Sequence, residues 1–278
     1  MRSPFAGSPE FERLLRRDAR PDLTRIALEI ARDAYPDLEP GPYLERIEAL
    51  AARVRDRAPA AAKARQVLGQ INWVLFVEEG FQGNTEDYYD PKNSYLNQVI
   101  ERKTGIPISL SVLYRAVAHR LGLVMEGVNL PAHFMLRVDR GDETIFVDPF
   151  HAGALLDRQG CERRVAELVD RPVVLSDLEL APCGLDLVVT RMLRNLKAIY
   201  LRGHDLSTAL PVQRRLAALN PDDPLEQRDL GMLCLQLDRP AEAIAPLQSL
   251  LDARPEPEDA DVIRALLRAA RREVATWN

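Results

Sequence analysis

The sequence contains little cysteine. Its 278 residues include three, at Cys161, Cys183 and Cys234, which are widely separated and form no CxxC pair. An odd, scattered set suits neither a disulfide framework nor a zinc site of the usual spacing. We therefore expect reduced thiols and a cytoplasmic protein.

Clustered positive charge and long apolar runs are also absent. The net charge is −5, and no block of Lys or Arg is present to neutralise phosphates, so nucleic acid is not an expected partner. No apolar run approaches the roughly 18–20 residues of a membrane span, and the first residues lack the apolar core of a secretory signal. The motifs GxxxxGK, GxGxxG and HExxH are missing, which predicts no nucleotide, phosphate or metal site and no cofactor.

The composition that remains is that of a globular protein, with 46% hydrophobic and 28% charged residues. Apolar residues recur at spacings of three and four from residue 9 to about 80, which predicts three helices. The first includes ERLLRRDARPDLTRIALEIARDAYPDL, with Leu14, Leu23 and Ile26 on one face. The third is apolar enough around Trp73, Leu75, Phe76 and Val77 to be largely buried.

The stretch 93–150 changes character from helix to strand. We predict a helix over SYLNQVIERK, begun by Asn93 or Ser94 and ended by Gly105. A second helix begins at Pro107, because proline is tolerated at the first helical position. Three strands follow, in VMEGVNL, HFMLRVD and ETIFVDPF. This arrangement places a histidine on the second strand and an aspartate on the last.

The C-terminal part repeats with a period of 34 residues. Three pairs of positions share this spacing: Ala209 and Ala243, Leu216 and Leu250, Pro221 and Pro255. A helix–turn–helix unit of this length is the signature of tetratricopeptide repeats. About one and a half to two repeats are present, fewer than an independent solenoid needs. We predict two domains, 1–180 and 181–278.

Two residues of the central stretch have the order and spacing of part of a thiol site. Such a site uses a cysteine at a helix N-terminus, where the helix dipole lowers the thiol pKa, with a histidine and an orienting aspartate on neighbouring strands. His133 and Asp148 fit the last two roles. The head of the helix offers no cysteine, only Pro107, Ser109 and Ser111.

Other nucleophiles remain open to the same histidine. Ser109 lies in the first turn of the helix, Ser111 lies on a different face, and Cys161 follows Asp148 closely in the chain. A serine hydroxyl is a far weaker nucleophile than a thiolate and needs strong activation by a base. Each candidate also has a structural interpretation: close helix packing for the serines, a buried apolar residue for the cysteine, and backbone bonding or loop bracing for His133 and Asp148.

The residues NSYLNQVIERKTGIPISLSVLYRAVAHRLGL, GVNLPAHFMLRV and FVDPFHAGALL resemble the SirB-type proteins of bacteria, which couple a transglutaminase-like domain to tetratricopeptide helices. The resemblance covers roughly residues 20–270. It implies an α+β fold, mostly helical, with a transglutaminase-like (cysteine-peptidase-like) core and a small antiparallel sheet. It also implies that Pro107 occupies the nucleophile position, His133 that of the histidine and Asp148 that of the aspartate. The resemblance links the protein with regulation of gene expression.

These observations favour a catalytically altered domain that acts as a protein-binding and regulatory module, with a pocket around Pro107, His133 and Asp148. The protein partner would dock on the tetratricopeptide helices. The alternative is a hydrolase or amidotransferase that uses Ser109, Ser111 or Cys161 as nucleophile, with His133 and Asp148 as base and orienter. In a third interpretation the central domain is purely structural and the repeat alone acts. His151 either lines the same pocket or is a loop residue.

Overall fold

The structure, a computed structural model, describes residues 5–18, 21–59, 62–141, 143–253 and 260–276. The fold is α+β and mostly helical, as predicted, with small sheets. The chain forms two compact units, Met1–Met192 and Leu193–Asn278. In the described residues no helix has both the length and the apolar character of a membrane span.

The first predicted helix is two helices, α1 (Pro9–Leu15) and α2 (Leu23–Ala31). Asp22 is the N-cap of α2: its side chain accepts a hydrogen bond from the backbone N–H of Thr24 at 2.8 Å. The helix therefore starts anew after Asp22. The apolar periodicity correctly predicts the buried face, with Leu14, Leu23 and Ile26 in the core. The prediction of one continuous helix was wrong, because apolar periodicity alone does not show where one helix ends and a second, capped helix begins.

Helices α3 (Pro40–Arg57) and α4 (Ala64–Asn72) follow, and α4 continues as a π-helix over Trp73–Glu78. The π-helix shifts which side chains face the core. Val74 and Leu75 are buried and Phe76 is partly buried, whereas Trp73 is 46% exposed and Val77 61% exposed. The predicted burial therefore holds for Leu75 and was wrong for Trp73 and Val77. The Trp73 indole N–H instead donates to Glu78 at 3.0 Å.

Helix α5 (Leu96–Arg102) begins after Tyr95 rather than after Asn93 or Ser94, and it ends at Lys103 rather than at Gly105. Lys103 takes the left-handed conformation, with φ of 57°, which ends a helix as glycine does. Gly105 lies instead in strand β2 (Thr104–Gly105), which pairs in parallel with β1 (Gln82–Gly83).

Helix α6 (Pro107–Arg120) is central to the first unit and begins at Pro107, as predicted. Its side chains are buried on nearly every side, from Pro107 to Ala118, apart from Arg115. A helix that is apolar all round needs packing partners on all faces. Helices α2, α3 and α5 and the strand β4 supply them.

A four-stranded antiparallel sheet, in the order β3-β4-β5-β6, packs beside α6. The three predicted strands are β3 (Glu126–Val128), β4 (Met135–Arg140) and β5 (Glu143–Asp148). A fourth, β6 (Ala154–Leu156), pairs with β5 and leads into α7 (Arg158–Val169). His133 lies in the turn before β4 rather than on the strand itself.

The remaining helices are α8 (Leu185–Arg202), α9 (Leu206–Leu219), α10 (Pro224–Gln236), α11 (Pro240–Ala253) and α12 (Ala260–Ala275). Helices α9 to α12 pack in succession, each against the next. The paired repeat positions Ala209, Ala243, Leu216 and Leu250 are all buried, as equivalent core positions require. Pro255 lies outside the described residues.

Candidate functional site

A tight turn positions His133 at the start of β4. Ala132 takes the left-handed conformation, with φ of 57°, and the backbone N–H of His133 donates to the carbonyl of Leu130 at 3.3 Å. The following Phe134 is buried. The turn therefore directs the imidazole of His133 into the protein, where only 2% of the residue is exposed.

His133 and Asp148 form a hydrogen-bonded pair inside the first unit. Nε2 of His133 lies 3.0 Å from Oδ1 of Asp148, and the side chain of Asp148 is fully buried. Asp148 is the last residue of β5, and β4 and β5 are neighbours in antiparallel register. The sheet thus brings together two residues that are 15 positions apart in sequence.

A second histidine and an arginine share the same carboxylate. Nδ1 of His151 lies 2.7 Å from Oδ2 of Asp148, and Nε of Arg164 lies 3.2 Å from that oxygen. Burial by itself would raise the pKa of Asp148, but the hydrogen bonds from His133 and His151 outweigh it and hold that pKa well below its ordinary value. Asp148 is therefore an anion around which three nitrogen-bearing side chains are organised.

The loop after Asp148 holds His151 in place. Residues Pro149–His151 form a single 3-10 turn, Ala152 is left-handed, and the N–H of Gly153 returns to the carbonyl of Asp148 at 2.9 Å. The exposed fraction of the His151 side chain is 34%. His151 is thus the histidine of the site that solvent reaches, and His133 is the one that lies beneath it.

Asn72 ties this loop to α4 and α6. Its amide nitrogen donates to the carbonyl of Gly153 at 2.7 Å, and its amide oxygen accepts the hydroxyl of the buried Tyr114 at 2.8 Å. Gly153 has φ of +72°, and a Cβ there would lie 2.0 Å from the Asn72 oxygen. Only glycine allows this approach.

Strand β1 connects the same loop to the head of α6. A Cβ on Gly83 would lie 2.6 Å from the ring of Phe150 and 2.8 Å from its carbonyl oxygen. Gly83 pairs with Gly105, two residues before Pro107. Both members of this pair are glycines. At Gly83, the absence of a side chain leaves room for the Phe150 ring.

Aromatic rings lead from the histidines to the surface. The Phe150 ring lies 6.2 Å from that of His133 and 5.1 Å from that of His151. Tyr88 lies 6.4 Å from Phe150 and contacts Tyr89 edge to face at 5.5 Å. Tyr88 is 39% exposed and Tyr89 56% exposed, so the two neighbouring rings form a small aromatic patch at the surface.

The two serine candidates are engaged with the backbone. The hydroxyl of Ser109 lies 2.6 Å from the carbonyl of Asn93, to which it donates, and accepts the N–H of Ile106 at 3.0 Å. The hydroxyl of Ser111 donates to the carbonyl of Pro107 at 2.7 Å. Both serines are buried. These bonds brace the first two turns of α6.

Cys161 lies in an apolar cluster. The residue is fully buried, with neighbours in the core that include Val128, Phe146 and Val165. Its sulfur lies 3.9 Å from that of Met135. Burial, assisted by the charge of Asp148, raises the pKa of the Cys161 thiol to about 12. A thiol with that pKa is protonated at neutral pH and is a poor nucleophile.

His133, Asp148 and His151 each have one atom that could ligate a metal ion, and these three atoms lie within 4.8 Å of one another. Imidazole and carboxylate are ligands for transition metals. If the three residues bound a metal ion through these atoms, the hydrogen bonds of His133 and His151 to Asp148 would both be lost. The guanidinium of Arg164 would also stand beside the metal-bound carboxylate and repel a divalent cation. The arrangement favours the hydrogen-bonded cluster over a metal centre.

Two residues that contact the site, Arg164 and Asn72, were not predicted from the sequence. Arg164 lies on α7, 16 positions after Asp148, and Asn72 lies 81 positions before Gly153. Neither belongs to a local motif that could have identified it. His151 carries a weak signal, since it follows Asp148 by three residues beside the loop-forming Ala152-Gly153.

Residues 42–194 match the family model described as the transglutaminase-like superfamily, and residues 196–268 match a tetratricopeptide repeat. These matches confirm the domain types that the sequence predicts. The second match begins where the second compact unit begins, within a few residues.

Similar proteins occur in bacteria and in mammals. A UPF0162 protein of Xylella fastidiosa is 36% identical over 250 residues, 88% of each chain. A UPF0162 protein of Vibrio cholerae is 30% identical over 70% of this chain and 73% of its own. F-box only protein 21 of mouse is 44% identical over 112 residues, which are 37% of this chain and 18% of that protein.

Among solved structures, menin aligns with 94% of this chain and 73% of its own, at 12% identity and a TM-score of 0.44, a likeness that carries no argument about fold or function. The long sequence matches carry the assignment instead: the chain belongs to the transglutaminase-like superfamily and, within it, to the group of UPF0162 proteins.

Proposed function

We propose that the protein is a catalytically silent transglutaminase-like module that binds a peptide segment at the His133–Asp148 site. The tetratricopeptide helices provide a second surface for a protein partner, since packed helical repeats commonly form peptide-binding surfaces. The single observation that carries this proposal is the combination of an intact His–Asp pair with a helix head that has Pro107 and no cysteine.

The chemistry of the three candidate nucleophiles supports the proposal. General-base activation requires a hydroxyl or thiol within hydrogen-bond reach of the histidine. Among the described residues, the hydroxyls of Ser109 and Ser111 bond to backbone groups, and Cys161 contacts Met135. Pro107, at the head of α6, has neither a side-chain nucleophile nor an N–H to donate to an oxyanion.

The exposed part of the site is suited to binding a peptide. His151 offers an imidazole edge to solvent while Asp148 holds its other nitrogen. The rings of Phe150, Tyr88 and Tyr89 extend from it toward the surface. Aromatic rings beside a polar anchor are the usual composition of peptide-binding surfaces, because they bury a large area at a small entropic cost.

The likeness to F-box only protein 21 supports a modular use of the frame. The shared stretch is 112 residues, and it forms only 18% of that protein. A similar frame thus occurs within a much longer chain. We infer further that the chain is a SirB-type regulatory protein of the cytoplasm, where its three free cysteines would stay reduced.

A peptide-display selection on the intact protein tests the binding proposal. Peptides that are enriched would be synthesised and their Kd values measured for the unaltered chain and for the His133→Ala, His151→Ala and Tyr89→Ala variants. His119→Ala serves as the matched control, because His119 is an exposed residue near the other end of α6.

Each site variant is expected to weaken binding about tenfold or more, and the control less than about twofold. The proposal is wrong if no peptide is enriched, or if the selected peptides bind all four variants as tightly as the unaltered chain. The rival function, a hydrolase or amidotransferase with Ser109, Ser111 or Cys161 as nucleophile, makes a different prediction: covalent labelling of one of these residues.

A further inference from the structure

A cavity of about 160 Å³ lies on another side of α6, apart from the histidine cluster. Its walls come from α6, from Leu23 of α2, from β3, from β4 with the Phe134 that precedes it, and from residues 183–188. Neither His133 nor Asp148 lines it. Glu126 and Gly184, both exposed, lie at its edge and open it to solvent. The proposed function does not use this cavity.

The cavity walls are mostly apolar. Val112, Phe134, Leu136 and Val188 are buried side chains that face it. A cavity of roughly 150 Å³ with such walls is large enough for benzene, about six heavy atoms. A ligand that fits inside this cavity is therefore a small molecule, well below the size of a nucleotide or a drug-like ligand.

Gly127 is needed for one wall of the cavity. The N–H of Cys183 donates to the carbonyl of Gly127 at 2.8 Å, so that residues 183–188 cover the edge of β3. A Cβ on Gly127 would lie 2.6 Å from the ring of Phe134 and 3.2 Å from the sulfur of Cys183. The missing side chain lets these residues close together.

One cationic side chain, Arg115, lines the cavity. Its Nε donates to the carbonyl of Met125 at 2.9 Å, and no carboxylate of the described residues pairs with it within 4.0 Å. Burial lowers the pKa of Arg115, and the charges of Asp22 and Glu126 oppose that shift only from longer range. A half-buried guanidinium without a paired anion has lost part of its hydration and gained no ion pair in return.

Two other arginines of this unit have a carboxylate partner, which Arg115 lacks. Arg164 pairs with Asp148 and Glu167, and Arg120 pairs with Glu48. The terminal nitrogens of Arg115 are thus available as a two-pronged anchor for an anion. Carboxylate suits a guanidinium well, because two parallel N–H···O bonds form with one planar group.

We propose that this cavity binds a small monocarboxylate with a short hydrocarbon chain. The carboxylate lies on the guanidinium of Arg115, and the hydrocarbon packs against Val112, Phe134 and Leu136. The negative charge of the ligand supplies the missing counterion, and the chain fills space that water occupies poorly.

Calorimetric titration with sodium 3-methylbutanoate tests the proposal on the intact protein. The uncharged amide of the same acid is the matched ligand control, since it has the same shape without the charge. The acid is expected to bind saturably with a Kd on the order of 1 mM or tighter, and the amide about tenfold more weakly. The proposal is wrong if no saturable binding occurs up to roughly 20 mM, or if amide and acid bind equally.

Arg115→Met retains most of the side-chain volume and removes the charge, so binding of the acid is expected to weaken about tenfold or more. Arg163→Met is the matched control, because Arg163 is an exposed arginine that does not line the cavity. Equal affinity in the Arg115→Met variant and the unaltered protein contradicts the assigned anchor.

Cys183 provides a measurement that needs no variant. Its thiol lines the cavity and is partly exposed, whereas Cys161 and Cys234 are buried. Saturating 3-methylbutanoate is expected to slow iodoacetamide alkylation of Cys183, while the two buried cysteines should stay unlabelled with and without the ligand. If alkylation of Cys183 proceeds at the same rate with and without saturating ligand, the ligand lies elsewhere and the proposal fails.

Discussion

His133 and Asp148 form a buried pair in which an imidazole nitrogen lies 3.0 Å from a carboxylate oxygen. The pair has the order and geometry that a thiol site uses to orient its base. Pro107 nevertheless begins the neighbouring helix, and no thiol or hydroxyl among the described residues bonds to His133. The described residues thus retain the His–Asp pair, and a proline stands at the head of α6.

Removing the charge of Asp148 should destabilise the first unit. Asp148→Asn leaves His133, His151 and Arg164 beside a neutral amide in a buried position. Loss of one member of a buried charged cluster typically costs about 3–5 kcal/mol in the free energy of unfolding. Urea denaturation followed by circular dichroism at pH 7 measures this loss.

The difference in free energy of unfolding between the unaltered protein and Asp148→Asn should depend on pH. The pKa of Asp148 is lower in the folded state than the value of about 3.9 expected for the unfolded chain. Its stabilising contribution is therefore complete above about pH 4 and is lost as the pH falls toward the folded-state pKa. At pH 3 the difference between the unaltered protein and Asp148→Asn should shrink by about 1 kcal/mol. A difference that is the same at pH 3 and pH 7 contradicts the assigned role of the charge.

Gly153 should tolerate a side chain far less well than another glycine with the same backbone. Gly153 has φ of +72° and Gly80 φ of +73°, but a Cβ on Gly80 meets no atom within 4 Å. Gly80→Ala is expected to cost about 1–2 kcal/mol from backbone strain alone. Gly153→Ala should cost at least about 2 kcal/mol more, because it displaces Asn72 from its hydrogen bonds.

The coupling with Asn72 can be isolated by a double-mutant cycle. Combined with Asn72→Ala, the Gly153→Ala substitution should cost less than it does alone, since the clashing amide is gone. Strictly additive losses of stability would show that the loop is not held by Asn72.

Glu226 should be the main buried charge of the tetratricopeptide unit. Its carboxylate accepts bonds from Lys197, Arg194 and Gln213 at 3.0 Å each, and the residue is 3% exposed. Glu226→Gln is expected to cost about 2–3 kcal/mol. Hydrogen exchange of the amides in α9 and α10 measures the loss where it occurs.

Glu242→Gln is the matched control for that substitution. Glu242 pairs with Arg214 and Arg239, but its side chain is 45% exposed, and exposed pairs contribute about 0–1 kcal/mol. Equal protection losses for the two variants would contradict a special role of the buried carboxylate.

Much of the architecture follows from local patterns in the sequence. Pro107 begins α6 because proline suits a first helical turn, and the 34-residue spacing of Ala209 and Ala243 identifies equivalent buried positions. His133 and Asp148 were predictable as partners because both lie at the edges of consecutive strands, which meet in an antiparallel sheet.

Other features depend on tertiary contacts that no local pattern encodes. Lys103 takes the left-handed conformation although Gly105 is nearby, since Gly105 is used in β2 against Gly83. Trp73 is exposed because the π-helix changes which of its side chains face the core. Asn72 bonds to Gly153 across 81 positions, a relationship that only the packing of α4 against the loop creates.

The central claim, a retained His–Asp pair without a working nucleophile, is tested most directly by covalent labelling. The folded protein and a control hydrolase would be treated with a fluorophosphonate and with iodoacetamide, and adducts located by peptide mass mapping. We predict no adduct on Ser109, Ser111 or Cys161 under conditions that label the control completely. A stoichiometric adduct on any of the three, abolished in the His133→Ala variant, would contradict the account.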